Sequence, residues 1–205
     1  MTRIAFLIVL LFSLLSWGQQ ASAESNEVPA APSEVVERLH GALLAAMKGG
    51  QKLGFEGRRA LLEPVMREVF DFASMARVAA GAGWTKMSEE EHQRLVDAFA
   101  AWSVATYASQ FKEWNGDKFT VDSDSDSGRG HTVKTTMKPK GDDPVEFDYR
   151  LRQEDGRWRI LDIYLDGAIS QLALRRSEFG AILDRGTPDQ LIAHIEESTK
   201  ALAKS

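Results

Sequence analysis

Two adjacent strands joined by a tight turn constrain the fold of this chain most. In residues 145–151, apolar and charged side chains alternate, which is typical of a strand with one buried and one solvent-exposed face. Residues 154–157 contain the Asp-Gly pair of a hairpin turn. The run 158–165 alternates at first and then becomes nearly all apolar. We therefore expect a central strand whose inward parity shifts at a bulge near Leu161.

An amphipathic helix follows these two strands. Gly167 ends the second strand, and apolar residues then recur at helical spacing, with Arg175 and Arg176 on the opposite side. The apolar residues are Ile169, Leu172, Ala173, Phe179, Ile182 and Leu183. A sheet face thus leads directly into a helix that can cover it.

Residues 1–23 have the composition of a cleaved export signal. Arg3 supplies a short basic start, residues 4–17 form an apolar run too short for a comfortable membrane span, and residues 21–23 are a small-residue cleavage site. We predict cleavage after Ala23, with an uncleaved membrane anchor as the alternative. The glutamines at 19 and 20 disfavour the anchor because they already end the apolar run.

The rest of the chain suits one domain. Residues 24–32 are polar, small and proline-bearing, which indicates a flexible lead-in, and residues 33–205 are enough for a single domain with its own core. Because the sequence has no cysteine, disulfides, thiol catalysis and a lipobox are excluded, as suits an exported bacterial protein held by its core. The formal net charge of −5 argues against nucleic acid and against tight electrostatic docking on anionic lipid headgroups.

Helices are predicted in the first half of the domain. Ser33 is a candidate N-cap of a helix that ends at residues 49–50. A second helical region, 55–83, contains Pro64, which predicts either a kink or the first turn of a new helix. Residues 88–91 have the form of a capping box and open the longest helix. Its apolar stripe contains Leu95, Val96, Phe99, Trp102, Tyr107 and Phe111. Such a stripe either packs as an ordinary core face or lines a cavity, and both alternatives stay open.

Further strands and a closing helix complete the chain. Phe119 and Val121 indicate a first strand, and residues 131–138 alternate as a second. Residues 187–190 form a capping box that opens the last helix. With the hairpin described above, about four antiparallel strands lie between helices. We therefore predict an α+β fold in which amphipathic helices cover one face of a curved sheet.

Metal and catalytic motifs fail on spacing. Asp122, Asp124 and Asp126 alternate as in a calcium-binding loop. Ser127 and Val133, however, stand where glycine and glutamate are needed, so we expect a solvated hairpin loop instead. The histidines are too scattered to predict a metal site; they are His40, His92, His131 and His194. The sequence has no nucleophile elbow and no phosphate-binding glycine loop, and we predict no catalytic residue and no cofactor.

Several segments resemble the MlaC family of periplasmic lipid-binding proteins. They are Phe70-Asp71-Phe72, Asp148-Tyr149-Arg150-Leu151, Gly156-Arg157-Trp158-Arg159-Ile160 and residues 162–170. Within the family, the stretch from Tyr164 to Gly167 followed by Arg175-Arg176-Ser177-Glu178-Phe179 is similar to the hopanoid-associated HpnM branch.

The resemblance implies both a fold and a function. The fold would be a nuclear-transport-factor-two-like cone, with an apolar cavity between the curved sheet and the helices. The function would be that of a soluble periplasmic carrier that binds a hopanoid or a phospholipid and shuttles it between membrane transport partners. The implied partner is a membrane-bound transporter, HpnN-like or Mla-like, with transient membrane contact only and no nucleic acid.

A set of fourteen residues is predicted to line the cavity. They are Phe72, Met75, Phe99, Trp102, Tyr107, Val133, Met137, Phe147, Tyr149, Leu151, Ile163, Leu165, Ile169 and Leu172. Arg175 and Arg176 could contact a lipid headgroup or a partner protein. Alternatively, they could pair with nearby carboxylates, which are Asp162, Asp166 and Glu178.

Two other function classes stay open at the level of the sequence. A small enzyme on such a cone would use an aspartate base and a tyrosine donor. The candidates are Asp148, Tyr149, Asp162 and Tyr164. Asp148 shares the strand parity of Arg150, which predicts that it lies on the solvent-exposed face and disfavours the enzyme. The other class is a ligand-free periplasmic interaction module, because a filled core and a cavity use the same residue types.

Overall fold

The computed structural model describes residues 31–126, 128 and 130–204. The predicted signal peptide, residues 1–23, and most of the predicted lead-in, residues 24–32, lie outside this part of the chain, so both stay predictions. None of the described helices combines the length and the hydropathy that crossing a membrane requires.

Antiparallel strands form one sheet in the order β1-β2-β3-β4-β5. The strands are β1 (Lys118–Asp126), β2 (His131–Lys138), β3 (Val145–Glu154), β4 (Arg157–Leu165) and β5 (Ile169–Ser170). Each strand pairs with its neighbour in sequence, so the sheet is a continuous meander. The one strand beyond the expected four is β5, a two-residue strand that adds to the end of β4.

The helices pack on one face of this sheet and on each other. They are α1 (Pro32–Val69), α2 (Phe72–Ala80), α3 (Glu89–Gln110), α4 (Gln171–Leu183) and α5 (Pro188–Leu202), with a 3-10 helix (Gly81–Lys86) after α2. Buried residues of α1 and α3, such as Leu39 and Phe99, share one apolar cluster with Val133 and Tyr149 of the sheet. The α+β arrangement predicted from the sequence is confirmed.

The predicted bulge in β4 is confirmed. Arg150 of β3 pairs with Asp162, whereas the next residue, Leu151, pairs with Ile160, so Leu161 is the extra residue of β4. Because of this shift, Ile160 and Ile163 are both buried although their positions differ by an odd number.

The first helix is interrupted where we expected it to end. Gly50 and Gly54 have non-helical backbone angles, so α1 consists of two helical segments joined at these glycines, with Pro64 inside the second segment. Both glycines have positive φ, 47° and 61°, which a residue with a Cβ adopts at a cost. The chain thus bends at these glycines and continues as a helix.

The predicted N-cap of this helix, Ser33, was wrong. Ser33 lies inside the first turn, and the N-cap is Ala31, whose N–H donates to Oε2 of Glu34 at 3.2 Å. Pro32 occupies the first helical position, where its missing N–H costs nothing.

The other predicted helix starts are confirmed. Ser88 Oγ accepts from the Glu91 N–H at 3.3 Å in front of α3. Thr187 Oγ1 accepts from the Gln190 N–H, also at 3.3 Å, in front of α5.

The acidic segment after Val121 is a strand and not the loop that we expected. β1 continues to Asp126, which leaves a short hairpin connection to β2. Asp122 Oδ2 accepts from Thr136 Oγ1 of the neighbouring strand, and Asp124 Oδ2 accepts from the Ser33 N–H at 3.3 Å. These carboxylates are therefore held by hydroxyl and amide donors, which allows an acidic sequence to extend as a strand.

The bend in α1 can be tested with two alanine substitutions. Gly54 has φ 61° and ψ −177°, and Gly41 is an ordinary helical residue; an added Cβ meets nothing within 4 Å at either position. We expect Gly54→Ala to lower the free energy of unfolding by about 1–3 kcal/mol, and Gly41→Ala to raise it by about 0.5–1 kcal/mol. Urea titration measures both. Equal effects of the two substitutions would contradict the bend.

Candidate functional site

A hollow of about 340 Å³ lies between the sheet and the helices and opens to the surface. Its floor comes from β3 and β4. Phe147 pairs with Leu165 and Tyr149 pairs with Ile163, so two adjacent cross-strand pairs point at the helices. Val145 extends this floor toward the start of β3.

One wall of the hollow is a face of α3. The lining residues of this helix recur every three or four positions, as one helical face requires. They are Phe99, Trp102, Ser103, Thr106, Tyr107 and Gln110, followed by Phe111 at the end of the helix. Ser103 and Thr106 donate their hydroxyls to the carbonyls of Phe99 and Trp102, at 2.8 and 2.9 Å. Because these hydroxyls are already used within the helix, the wall they contribute is less polar than the sequence suggests.

The opposite side of the hollow consists of aromatic and methionine side chains. Met66 and Phe70 come from the end of α1, and Phe72 and Met75 from α2. Ring contacts connect this side to α3: Phe72 meets Phe99 at 6.2 Å and Phe70 meets Tyr107 at 6.1 Å between centroids. Methionine side chains adapt to irregular apolar ligands, and aromatic pairs hold the wall in place.

Tyr149 of the floor is held by His40 of α1. The Tyr149 Oη and His40 Nε2 atoms lie 3.1 Å apart, and the imidazole stacks on Phe119 with 4.2 Å between centroids. Burial lowers the pKa of His40 to about 4, so the ring is neutral at pH 7. Burial, and then the nearby Tyr107, raises the pKa of Tyr149 well above its usual range. Tyr149 therefore presents its ring to the hollow while its hydroxyl stays neutral and paired.

Asp162 reaches the edge of the hollow directly after the bulge. Its Oδ1 accepts from the Leu172 N–H at 3.0 Å and from the Ile163 N–H at 2.7 Å, and its Oδ2 accepts from Ser170 Oγ at 2.6 Å. The carboxylate thus fixes the start of α4 to β4, because N–H groups at a helix start have no partner within the helix. Pairing of Asp162 with an arginine of α4, which we considered, is absent among the described contacts.

The two arginines of α4 have different surroundings. The Arg175 guanidinium lies 4.6 Å from the centroid of the Trp102 ring, forms an ion pair with Glu178 and lines the hollow. Arg176 is exposed beside Gly81 of the 3-10 helix and is not part of the lining. Arg175 is consequently the cation that a ligand in the hollow would meet.

Ten of the fourteen predicted lining residues surround the hollow. They are Phe72, Met75, Phe99, Trp102, Tyr107, Phe147, Tyr149, Ile163, Leu165 and Leu172. Contact of these side chains with a lipid stays a prediction.

The other four predicted residues lie elsewhere. Leu151 lies two residues beyond Tyr149 on β3, where its side chain is buried in the core. Val133 and Met137 belong to β2, which contributes no residue to the hollow among the described ones because α1 packs on β1 and β2. Ile169 lies on β5 with 49% of its surface exposed. The strand parity was right for β2 and β3, but parity does not show how far along the sheet a cavity extends.

Ten lining residues are outside the predicted set of fourteen, although Phe111, Asp162 and Arg175 were considered in other roles. The apolar ones are Met66, Phe70, Phe111 and Val145, and the polar ones are Ser103, Thr106, Gln110, Asp162, Gln171 and Arg175. Those on α3 could have been found, since they continue the three- and four-residue spacing of Phe99 and Trp102. Asp162 was considered only as a catalytic candidate or as a partner of the α4 arginines, and its place at the edge of the hollow lies directly after the bulge.

The four residues of the enzyme interpretation are not brought together. Asp148 and Tyr164 are paired on the outer face of the sheet, whereas Tyr149 and Asp162 line the hollow. The prediction that Asp148 is exposed to solvent was wrong: it is 4% exposed, and its Oδ2 lies 3.1 Å from Lys134 Nζ. Asp148 lies on the predicted face of the sheet, but the Lys134 side chain covers it. Within the described residues, no group of three or more His, Asp and Glu side chains could hold a metal ion.

Burial of His40 predicts a pH-dependent stability. The pKa of His40 falls from 6.5 in the unfolded chain to about 4 in the folded protein, so the unfolded chain binds more protons between these values. The free energy of unfolding should therefore fall as the pH drops from about 6.5 to about 4, by up to about 3 kcal/mol at 1.36 kcal/mol per pKa unit. Denaturant titrations across this range should show a flatter dependence for His40→Gln.

Comparison with known proteins gives two findings. Residues 37–197 match the family described as MlaC protein. Among solved structures, the chain is similar to a phospholipid-binding protein from Ralstonia solanacearum in complex with a phospholipid, with 22% sequence identity and a TM-score of 0.74. The alignment covers 85% of this chain and 99% of that one, which shows a common fold. Comparison with the curated proteins gives no significant match. Because the family match spans most of the described residues, the chain belongs to the MlaC family.

Proposed function

We propose that this protein is a periplasmic lipid carrier that holds the apolar part of a hopanoid or a phospholipid in the hollow. The observation that carries this proposal is the hollow itself. Its floor is formed by the pairs Phe147–Leu165 and Tyr149–Ile163, and its walls are aromatic. Such a lining offers contact area and excludes water, and its Tyr149 and Asp162 side chains already have hydrogen-bond partners.

The size of the hollow suits the apolar part of a lipid. A volume of about 340 Å³ falls at the lower end of the range of ligand pockets, about 300–1,000 Å³. Apolar surface removed from water contributes about 25 cal/mol per Å², so about 400 Å² of buried lipid surface gains on the order of 10 kcal/mol before the costs of binding. A lipid held this tightly dissociates slowly from the hollow into water.

Polar groups at the edge of the hollow suit the headgroup end. Arg175 and Gln171 lie at the start of α4, and Gln110 lies exposed at the end of α3. A guanidinium is a strong donor to phosphate and hydroxyl oxygens. We infer that the headgroup lies at this edge and that the chains or rings lie on the aromatic floor.

Slow release in water implies a partner that receives the lipid. We propose a membrane-bound transporter, HpnN-like or Mla-like, that opens the hollow or competes for the cargo. The phospholipid bound in the Ralstonia solanacearum structure supports a phospholipid as the cargo of this protein. The resemblance of residues 164–179 to the HpnM branch supports a hopanoid instead.

Mass spectrometry distinguishes these cargoes. Protein purified from its native host without detergent should release one lipid class on solvent extraction, in about one copy per chain. A hopanoid would assign the chain to the HpnM branch, and a glycerophospholipid would place it with the phospholipid carriers. Extracts that contain no lipid, together with no uptake from vesicles, would favour a ligand-free interaction module.

Filling the hollow should block loading. Phe147 and Leu165 are a cross-strand pair in the floor, and both are half-buried, so the double variant Phe147→Trp, Leu165→Trp adds volume where a lipid would lie. We expect at least a tenfold loss of extracted lipid with a loss of stability of about 1–3 kcal/mol or less. The control is the double variant Leu61→Trp, Val121→Trp, whose positions are half-buried outside the hollow. This control should load lipid normally. Normal loading of the floor variant would exclude the hollow as the binding site.

A carrier and an enzyme differ in what they need from Asp162. A carrier needs this carboxylate to hold the start of α4, so Asp162→Asn should cost about 1 kcal/mol of stability and leave transfer between vesicles nearly unchanged. General acid or base catalysis contributes about 10²- to 10⁴-fold, so loss of a catalytic carboxylate would stop turnover with the lipid still bound. Mass analysis of the lipid before and after incubation measures this. A lipid altered by the wild type but not by Asp162→Asn would contradict the carrier.

A further inference from the structure

One end of the molecule carries most of its lysines. Six of the ten lysines of the chain lie in or beside the bend of α1, the segment between α3 and β1, and the connection between β2 and β3. They are Lys48, Lys52, Lys112, Lys118, Lys138 and Lys140, and all six are exposed. We call them the lysine patch.

The bend in α1 brings two distant parts of the chain together at this end. A Cβ added to Gly50 would lie 3.5 Å from the Lys112 carbonyl. Arg58 of α1 donates from Nη1 to the Gly50 carbonyl at 2.9 Å and from Nε to the Ala108 carbonyl at 2.8 Å. The buried guanidinium thus fixes the bend, with its flanking lysines, to the end of α3.

The two connections of the sheet meet at the same end. Lys118 and Lys138 are directly paired across β1 and β2. A Cβ added to Gly116 would lie 3.6 Å from Lys140 Cδ, so Lys140 lies on the segment that follows α3. Like charges placed directly opposite on a sheet destabilise it, so this arrangement is not explained by stability.

The lysine patch is not neutralised by ion pairs. Among the described residues, Lys134 pairs with Asp148 at 3.1 Å, and none of the six patch lysines forms an ion pair. Acidic residues in the same segments are Glu113, Asp117, Asp142 and Asp143. Of these, Asp117 is 7% exposed and accepts from the Asn115 N–H at 2.8 Å. The cations therefore outnumber the exposed carboxylates at this end of an otherwise acidic protein.

A tryptophan lies beside two lysines of the patch, Lys48 and Lys140. Trp114 is 45% exposed, its Nε1–H donates to the Asp117 carbonyl at 3.2 Å, and Lys48 Nζ lies 5.4 Å from the ring centroid. With Gly116 and Lys140 it lines a shallow open recess. An exposed indole among lysines suits the headgroup region of a bilayer, where the ring enters the interface and the ammonium groups meet phosphates.

Part of the lining of the hollow lies next to the lysine patch along the chain. Lining residues that reach the surface include Gln110 and Phe111 at the end of α3 and Val145 at the start of β3. Trp114 follows Phe111 by three residues, and Lys140 precedes Val145 by five. A surface that contacted the lysine patch would therefore lie close to this part of the hollow.

We propose that the lysine patch and Trp114 form a docking surface for an anionic lipid membrane, which turns the opening of the hollow toward the headgroups. The charges fit such a surface, and the apolar, half-exposed indole fits its interfacial layer. Net charge alone argues against this contact, but the field of a charged group decays within about 8 Å at physiological ionic strength, so the local charge decides. Docking is a property of the outer surface and is measured without reference to any cargo, so its failure would leave the proposed lipid binding untouched.

Vesicle binding tests the proposal. The purified mature protein should co-sediment with vesicles of phosphatidylglycerol and phosphatidylcholine, should bind phosphatidylcholine vesicles at least tenfold more weakly, and should be released by added salt. Brominated acyl chains should quench Trp114 fluorescence, which is isolated by comparison with Trp114→Phe. The double variant Lys48→Glu, Lys140→Glu should bind anionic vesicles at least tenfold more weakly than the wild type.

The control changes the same number of charges elsewhere. Lys86 at the end of the 3-10 helix and Lys200 on α5 are exposed and outside the patch, so Lys86→Glu, Lys200→Glu should bind as the wild type does. Thermal melts should be recorded for both variants to check that they fold. Equal loss in the two variants, binding that ignores lipid charge, or no vesicle binding by the wild type would overturn the proposal. Binding of the wild type to native membranes but not to protein-free anionic vesicles would also overturn it, in favour of an acidic protein as the partner.

Discussion

The pairing of β3 with β4, including the bulge at Leu161, is the constraint on which the rest of the structure depends. Before the bulge Ile160 faces the core, and after it Ile163 and Leu165 face the helices. A regular strand would expose one of these sets, because successive side chains alternate between faces. The bulge therefore lets one strand close the core at one end and form the floor of the hollow at the other. It also delivers Asp162 to the start of α4.

The floor is stiff where it meets the core, and the walls are adaptable. The hydrogen-bond contact between His40 and Tyr149 holds the floor to α1, and the chain of ring contacts from Phe72 to Phe99 holds α2 to α3. Met66 and Met75 contribute unbranched, adaptable side chains to the walls. A carrier benefits from this division, because a rigid floor keeps the hollow open while softer walls follow the shape of the ligand.

Much of the candidate site could be predicted because it depends on local periodicity. Ten of the fourteen predicted residues surround the hollow, and those on β3 and α3 followed from the two-residue and helical periods. Val133 and Leu151 were misplaced because parity specifies a face and not a position along it. Asp148 shows the same limit: its face was right, but Lys134 covers it from the neighbouring strand, at 3.1 Å. Burial depends on neighbours that are distant in sequence.

By itself, the sequence determined the order of helices and strands, the capping boxes at Ser88 and Thr187, the bulge and the inward face of the sheet, since each depends on residues only a few positions apart. The tertiary structure alone decided which part of that inward face stays open as a hollow. It also decided that Lys48 and Lys140, from segments distant in sequence, lie beside Trp114. The physical reason is that empty space and local charge are sums over groups that only the folded chain brings together, whereas a strand or a helix start is set by the chemistry of its own short segment.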